Sequence, residues 1–190
     1  MSRFVHLYIV FIFYGFSSFG QIVIRPKSFV DIQKEIPSIK LDIRYFGENN
    51  FIGKPIDGYS KPIAILTKDA VDKLKRVQLQ LKERNLGLMV YDAYRPQRAV
   101  DHFVRWAKDE KDTLMKAMFY PSVAKKDLFK LEYIAEKSGH SRGSTLDVTL
   151  IKLDTGEPFD MGSSYDFFDK ISWPFNNSIT PDQMQNRLLL

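Results

Sequence analysis

The sequence contains no cysteine and only three histidines. The lack of cysteine excludes disulfide bonds, thiolate metal sites and a cysteine nucleophile, and imidazole groups come only from His6, His102 and His140. The formal net charge is +5, and like charges do not form the long runs that mark many nucleic-acid-binding proteins. Repeats, low-complexity tracts and a phosphate-binding Gly-x-Gly-x-x-Gly pattern are also missing. Nucleic acid is therefore not expected as a partner, and any imidazole chemistry depends on very few side chains.

Length and the N-terminal pattern predict one exported domain. A chain of 190 residues with 44% hydrophobic residues suffices for a single domain with a core. Residues 1–20 have the pattern of a signal peptide, with Arg3 near the start, an apolar run and a small-x-small exit that ends at Gly20. An uncleaved anchor is the alternative, but the run is shorter than the roughly 20 residues that span a bilayer. We therefore expect a periplasmic or secreted protein of residues 21–190, with no stable membrane insertion after cleavage.

One segment carries a pattern of metal ligands. Residues 138–150 have the sequence SGHSRGSTLDVTL, in which His140 follows a turn-prone Ser-Gly pair and Asp147 lies in a β-favouring run. Alternation along a strand places Asp147 on the face opposite the apolar side chains. An imidazole nitrogen and a carboxylate oxygen are ordinary zinc ligands. By itself the pair is a weak signal, and a surface histidine with a turn-capping aspartate stays an open alternative.

The same segment closely resembles the zinc motif of D-Ala-D-Ala dipeptidases of the vancomycin-resistance type, which belong to the zinc peptidases that act on peptidoglycan stems. Three further parts of the chain resemble this family in the family's order: LDIRY with NFIGKPIDGY in residues 41–59, YDAYRP in residues 91–96, and MGSSYD in residues 161–166. The resemblance covers roughly residues 28–190. It implies an α+β fold with helices packed on one side of a mostly antiparallel sheet, and one Zn²⁺ per chain.

The resemblance also implies roles for individual residues. His140 and Asp147 correspond to metal ligands, Arg95 to the arginine that stabilises the transition state at the scissile carbonyl, and Ser138 and Asp166 to residues that bind substrate. From the residues alone, a salt bridge of Arg95 to a nearby aspartate and turn capping by Ser138 and Asp166 remain alternatives.

The family pattern is not completed in this sequence. In the family, a Glu-Trp-Trp-His type segment on a last strand supplies the catalytic glutamate and the third zinc ligand. No histidine follows His140, and Trp173-Pro174-Phe175 does not match that segment. The expectation is a truncated member that lacks the last strand and the general base, binds zinc weakly and is poorly active.

The implied function is zinc-dependent hydrolysis of D-Ala-D-Ala in cell-wall metabolism. A D,D- or L,D-carboxypeptidase that acts on longer peptidoglycan stems is an alternative, although a longer stem offers no free ammonium group to Asp166. A non-catalytic module that binds cell-wall peptides is a second alternative, and zinc content would distinguish it from an enzyme.

Periodicity predicts the elements that carry these motifs. A helix over 67–84 has Val71, Leu74 and Val77 on its apolar face, and His102 is expected to face solvent on a second helix. The predicted helices are 67–84, 97–108, 113–118 and 126–136, with the beginning of another near 182–190, and the predicted strands are 41–46, 88–91 and 146–153.

Overall fold

The computed structural model describes residues 26–190 and contains short strands and helices joined by long irregular segments. The strands are β1 (Phe29–Asp31), β2 (Lys40–Leu41), β3 (Ile65–Thr67), β4 (Leu86–Asp92) and β5 (Asp147–Lys152). The helices are α1 (Ile32–Glu35), α2 (Lys68–Lys82), α3 (Gln97–Lys108), α4 (Lys116–Phe119) and α5 (Pro181–Leu189). The signal peptide predicted for residues 1–20, with His6, lies outside the described residues. Within the described part of the chain, no helix combines the length and apolar content needed to cross a bilayer.

The strands form two small sheets, an antiparallel pair and a mixed sheet of three strands. β1 pairs with β3 in antiparallel orientation, while β4 lies between β2, which is parallel to it, and β5, which is antiparallel. The molecule is thus a mixture of helices and small sheets, as the expected α+β class requires. A mostly antiparallel sheet is not confirmed, because the central strand has one neighbour of each direction. The described residues do not test the expectation that the family's last strand is missing.

An irregularity in β4 decides which side chains reach the site. Val90 pairs with Val148, but the next pair is Asp92 with Asp147, so Tyr91 is an extra residue on β4. An extra residue of this kind changes the face on which the following side chains lie. Directly paired residues of antiparallel strands share a face. Asp92 therefore lies on the same face as Asp147, whereas regular pairing would place it opposite Leu146.

Two hydrophobic clusters support these elements. An aliphatic cluster that includes Ile32, Leu66 and Val71 packs α2 against the sheet residues Val90 and Leu150. A cluster rich in aromatic rings packs around α3, and its fully buried members include Tyr45, Phe51 and Tyr120. Tyr59 contacts both clusters, so the two cores meet beside the end of β4.

The predicted helix at 67–84 is confirmed as α2, but one residue predicted for its buried face, Val77, is exposed. Val71 and Leu74 are buried, whereas Val77 is 44% exposed and Gln78 is only 2% exposed. The Gln78 side chain accepts a hydrogen bond from the Leu88 backbone N–H at 3.1 Å and donates one to Ser38 Oγ at 3.2 Å. A buried amide with both groups paired explains why a polar residue replaces the predicted valine at this contact.

Other predictions have mixed outcomes. Helix α3 has the predicted bounds and α5 begins at Pro181, close to the predicted start. The prediction that His102 faces solvent is only partly confirmed, because its side chain is 21% exposed and its Nδ1 accepts a hydrogen bond from the Asp57 backbone N–H at 3.1 Å. The predicted strand 41–46 is also wrong beyond Leu41, since Arg44–Phe46 is a turn of 3₁₀ helix.

The predicted helix 126–136 is wrong. Only a 3₁₀ turn at Lys125–Asp127 forms there, and Glu132 has a left-handed backbone with φ of 61°. The Leu128 carbonyl accepts from the N–H groups of both Tyr133 and Ile134, so the chain turns back at this point. Leu128 and Ile134 thereby enter the same aromatic cluster. Tertiary packing outweighs the local apolar spacing in this segment.

Candidate metal centre and active site

His140 is held by a tight turn that sets its orientation. Ser138 Oγ accepts from the His140 backbone N–H at 3.2 Å at the start of the 3₁₀ turn Gly139–Arg142. Gly143 ends this turn with a left-handed φ of 76°, and a Cβ at Gly143 would collide with the Phe29 ring. The contact seen for Ser138 is turn capping, and its role in substrate binding stays a prediction.

The hydrogen bonding of the imidazole leaves one nitrogen available for a metal. His140 Nδ1 lies 2.8 Å from the Ala93 carbonyl oxygen, which accepts and therefore requires that Nδ1 carry the proton. Nε2 faces Asp147, whose Oδ1 is 3.3 Å away. A second ring nitrogen fixed by a backbone carbonyl is the usual support of a metal-binding histidine.

Asp147 offers a matching oxygen. It is the first residue of β5, and its Oδ2 accepts a hydrogen bond from the Tyr165 hydroxyl at 2.7 Å, so Oδ1 is the oxygen that faces the imidazole. Two ligands at about 2.05 Å from a tetrahedral zinc ion lie about 3.3 Å apart. The distance between His140 Nε2 and Asp147 Oδ1 has this value, so the residues present fit a zinc ion bound by one nitrogen and one oxygen.

The electrostatics of the pair agree with this assignment. Burial disfavours charge on both groups, but the hydrogen bond and charge of the partner outweigh burial. The pKa of His140 is therefore raised and the pKa of Asp147 is lowered in the metal-free protein. A metal ion bound at Nε2 would replace a proton there.

Asp92 completes a cluster in which potential ligand atoms of Asp92, His140 and Asp147 lie within 4.8 Å of one another. Its position does not suit a ligand, because its Oδ2 is 3.4 Å from His140 Nδ1, the nitrogen that already faces a carbonyl. Its oxygens are also occupied: Oδ1 accepts from the Tyr59 hydroxyl at 2.6 Å, and Oδ2 accepts from Arg95 Nε at 2.9 Å. Asp92 is 1% exposed and supports both the histidine and the arginine.

Arg95 follows the end of β4, and its guanidinium lies close to Asp147. Its Nε donates a hydrogen bond to Asp92 Oδ2 at 2.9 Å, and its Nη2 forms an ion pair with the same oxygen at 2.8 Å. The central carbon of the guanidinium lies 5.2 Å from the ring centres of Tyr45 and Phe103. Nη2 is also 3.6 Å from Asp147 Oδ2. The alternative salt bridge of Arg95 to a nearby aspartate therefore exists, with Asp92 as the partner. It holds the guanidinium close to Asp147.

Asp166 lies at a strained position on the same side of the molecule. Its backbone is left-handed, with φ of 59°, and its Oδ2 accepts from the Tyr45 hydroxyl at 2.8 Å. Burial raises the pKa of Asp166 to about 7, and the negative charge of Asp147 adds to this shift. A carboxyl group in such a position is stabilised in its ionised form by a cationic group.

Sequence reasoning missed three supporting residues, which are Tyr45, Tyr59 and Tyr165, and it considered Asp92 only as an alternative salt-bridge partner of Arg95. The first two lie in the motif segments of residues 41–59, but nothing in their spacing shows which carboxylates their hydroxyls contact. For Asp92, the three-residue separation from Arg95 is a usable signal, because it suits a salt bridge at a strand end.

Residues 139–143 also match Gly-x-Ser-x-Gly, a pattern of serine hydrolases. That pattern requires a strand, a sharp turn and a helix, with a base beside the serine. Here the segment is a 3₁₀ turn, and Ser141 Oγ has no hydrogen-bond partner within the described residues. The structure therefore gives no support to serine catalysis at this segment.

The comparisons with known proteins agree with this geometry. A family model described as D-ala-D-ala dipeptidase matches residues 25–190. The chain is similar to D-alanyl-D-alanine dipeptidases from Enterococcus faecalis, with 40% identity over 162 residues (85% of this chain and 80% of that protein), and from Streptomyces coelicolor, with 41% identity over 144 residues (76% and 71%). A dipeptidase of the same name from Enterococcus faecium is 36% identical over 159 residues, which cover 84% of this chain and 79% of that protein. The chain therefore belongs to the D-ala-D-ala dipeptidase family of enzymes.

Proposed function

We propose that the protein hydrolyses the dipeptide D-Ala-D-Ala with one zinc ion held by His140 and Asp147, and that it acts outside the cytoplasm, in the periplasm or as a secreted protein. The observation that carries the zinc proposal is the 3.3 Å separation of His140 Nε2 and Asp147 Oδ1, with the other polar atom of each side chain already paired. The similarity to dipeptidases supports the substrate class.

Zinc, when bound at such a site, polarises a carbonyl oxygen and lowers the pKa of bound water to about 7. The side chains of this protein would position the substrate. Arg95, fixed by Asp92, would donate to the carbonyl oxygen as negative charge develops on it. The charge of Arg95 is permanent, and its guanidinium is already held through Nε and Nη2 by Asp92, so little reorganisation is needed during the reaction.

Asp166 would bind the free ammonium group of the dipeptide. An arriving ammonium group favours the ionised carboxylate and offsets the burial that raises its pKa. A longer peptidoglycan stem has no ammonium group at this position, so the same carboxylate would disfavour it. Asp166 therefore supports a dipeptidase over a D,D- or L,D-carboxypeptidase.

The described residues provide only part of a catalytic zinc site. A catalytic zinc ion commonly has three protein ligands and an open water position. Within residues 26–190, Asp92 is the residue that joins His140 and Asp147 in a cluster of potential ligands, and it faces the wrong ring nitrogen. We therefore propose that these residues alone bind zinc weakly and hydrolyse the dipeptide slowly. For the same reason, peptide binding without catalysis is a second candidate function.

A test would measure the zinc content of the purified chain and the release of D-alanine from D-Ala-D-Ala, with L-Ala-L-Ala and a stem pentapeptide as comparison substrates. The expected result is slow, chelator-sensitive release from D-Ala-D-Ala that is lost in His140→Ala and Asp147→Asn. Binding of D-Ala-D-Ala without any zinc-dependent release would support the binding module instead. Faster release from the pentapeptide than from the dipeptide would contradict the assigned substrate.

A further inference from the structure

The Tyr165 hydroxyl donates a hydrogen bond to Asp147, the carboxylate proposed to bind zinc. Asp147 could bind a metal without this hydrogen bond. The distance from the Tyr165 hydroxyl to Asp147 Oδ2 is 2.7 Å. The Tyr165 ring is stacked on Tyr91, the extra residue of β4, with ring centres 4.6 Å apart and planes inclined by 23°. Tyr165 thus connects the segment that carries Asp166 to the paired ends of β4 and β5.

Proton counting shows where the Tyr165 hydroxyl must donate. It has one proton and two oxygens within reach, Asp147 Oδ2 at 2.7 Å and the Tyr45 hydroxyl at 3.1 Å. Tyr45 has its own acceptor in Asp166 Oδ2, at 2.8 Å. A carboxylate is a stronger acceptor than a neutral hydroxyl, and the shorter distance agrees with donation to Asp147.

A second donor does not replace this hydrogen bond. Arg95 Nη2 is 3.6 Å from the same Oδ2, beyond hydrogen-bond distance, and its closer partner is Asp92. Among the described residues, the Tyr165 hydroxyl is therefore the group that fixes Oδ2. Because the two oxygens of a carboxylate are rigidly joined, fixing Oδ2 also fixes the direction of Oδ1 toward His140.

We propose that Tyr165 is a positioning residue for the zinc ligand Asp147, which keeps Oδ2 occupied so that Oδ1 alone faces the metal. This inference rests on the proposed zinc site. Groups that hydrogen-bond to metal ligands typically contribute 10- to 100-fold to metal affinity. Because the described residues supply only two ligands, the zinc affinity should depend strongly on the orientation of each ligand.

The variant Tyr165→Phe tests this role, because it removes only the hydroxyl and keeps the ring that stacks on Tyr91. Tyr91→Phe is the matched control, since it removes a hydroxyl from the other ring of the same stack. The dissociation constant for zinc would be measured by competition with a chromophoric chelator, and thermal unfolding of the metal-free proteins would show whether each variant is folded.

The expected result is an increase of about 10- to 100-fold in the zinc dissociation constant for Tyr165→Phe and no such change for Tyr91→Phe. A cobalt-substituted form gives a second readout, because a carboxylate that turns and binds through both oxygens raises the coordination number and weakens the visible absorption. Equal zinc affinity and equal cobalt spectra in Tyr165→Phe and the wild type would overturn the inference while leaving the proposed function intact. A wild-type chain that binds no zinc would overturn both.

Discussion

Asp92 lies directly opposite Asp147 across β4 and β5, because Tyr91 is an extra residue between two otherwise regular pairs. This pairing brings the carboxylate that binds Arg95 and the carboxylate proposed to bind zinc to one face of the sheet. The two negative charges are tolerated because Asp92 is paired with Arg95 and Asp147 with His140. The bulge therefore assembles the charged centre of the molecule.

Asp92 and Arg95 should have strongly non-additive effects on the free energy of unfolding, because they form a buried ion pair. Their side chains are 1% and 14% exposed, so Asp92→Ala would leave a poorly solvated positive charge. We expect the free energy of unfolding of the metal-free protein to fall by about 3–5 kcal/mol, measured by urea denaturation. The double variant Asp92→Leu with Arg95→Met should lose much less. A double variant as unstable as Asp92→Ala would show that the lost charge pairing is not the cause.

Gly143 ends the turn that carries His140, and Gly156, which lies in another turn, is a matched control for substitutions there. Both have a left-handed backbone, with φ of 76° and 74°, but a Cβ at Gly143 would collide with Phe29, whereas a Cβ at Gly156 meets nothing within 4 Å. We expect Gly156→Ala to cost about 1–2 kcal/mol in free energy of unfolding from backbone strain. Gly143→Ala should cost about 1–3 kcal/mol more, because of overpacking.

The collision predicted at Gly143 has its own control. The additional cost of Gly143→Ala should largely disappear in a background that carries Phe29→Ala, since residues in contact have non-additive effects. Urea denaturation of the single and double variants measures this. An additional cost that is the same in the Phe29→Ala background and in the wild type would locate the strain elsewhere in the turn.

His102 should make the stability of the protein sensitive to acid. Its Nδ1 accepts from the Asp57 backbone N–H, and burial lowers its pKa in the folded state despite the opposing charge of Asp57. A lowered folded pKa means that the stabilising contribution is present above the unfolded pKa of about 6.5 and is lost as the pH falls through the folded pKa. The contribution of His102 to the melting temperature, measured between pH 5 and pH 8 with chelator present as the difference between the wild type and a variant without this histidine, should therefore decrease toward acid.

The variant His102→Asn separates this histidine from other acid-sensitive groups. The Asn side-chain oxygen takes the place of Nδ1 as an acceptor but does not titrate. We expect the melting temperature of the variant, relative to that of the wild type, to increase as the pH falls below about 6.5. The same pH dependence in both proteins would assign the effect to other groups.

Arg187 should hold the segment that carries Tyr165 and Asp166. Its guanidinium donates to the carbonyl oxygens of Met161 at 2.6 Å, Trp173 at 2.6 Å and Ile171 at 2.8 Å. Arg187→Lys keeps the charge but loses the fork of donors. Amide hydrogen exchange of residues 161–173 should become faster in this variant, with α2 and α3 unchanged as internal references. Unchanged exchange in residues 161–173 would contradict this role.

Part of the architecture follows from local sequence patterns. α2, α3 and β5 are predicted because a helix or strand with one apolar face shows its period within a single segment. The resemblance to the family motifs predicts site roles for His140, Asp147, Arg95 and Asp166. The failed helix at 126–136 shows the limit of this approach. Its apolar spacing is helical, but Leu128 and Ile134 reach the aromatic cluster through a turn instead.

The sequence by itself determined the family and most of the elements that carry its motifs, and it predicted the candidate ligand types, because these depend on residue identity and local periodicity. Only the tertiary structure decided which nitrogen of His140 and which oxygen of Asp147 face each other. That choice depends on the Ala93 carbonyl, the Tyr165 hydroxyl and the extra residue Tyr91 in β4. Ala93 is 47 residues from His140 along the chain and Tyr165 is 18 residues from Asp147, so these hydrogen bonds exist only once the chain has folded.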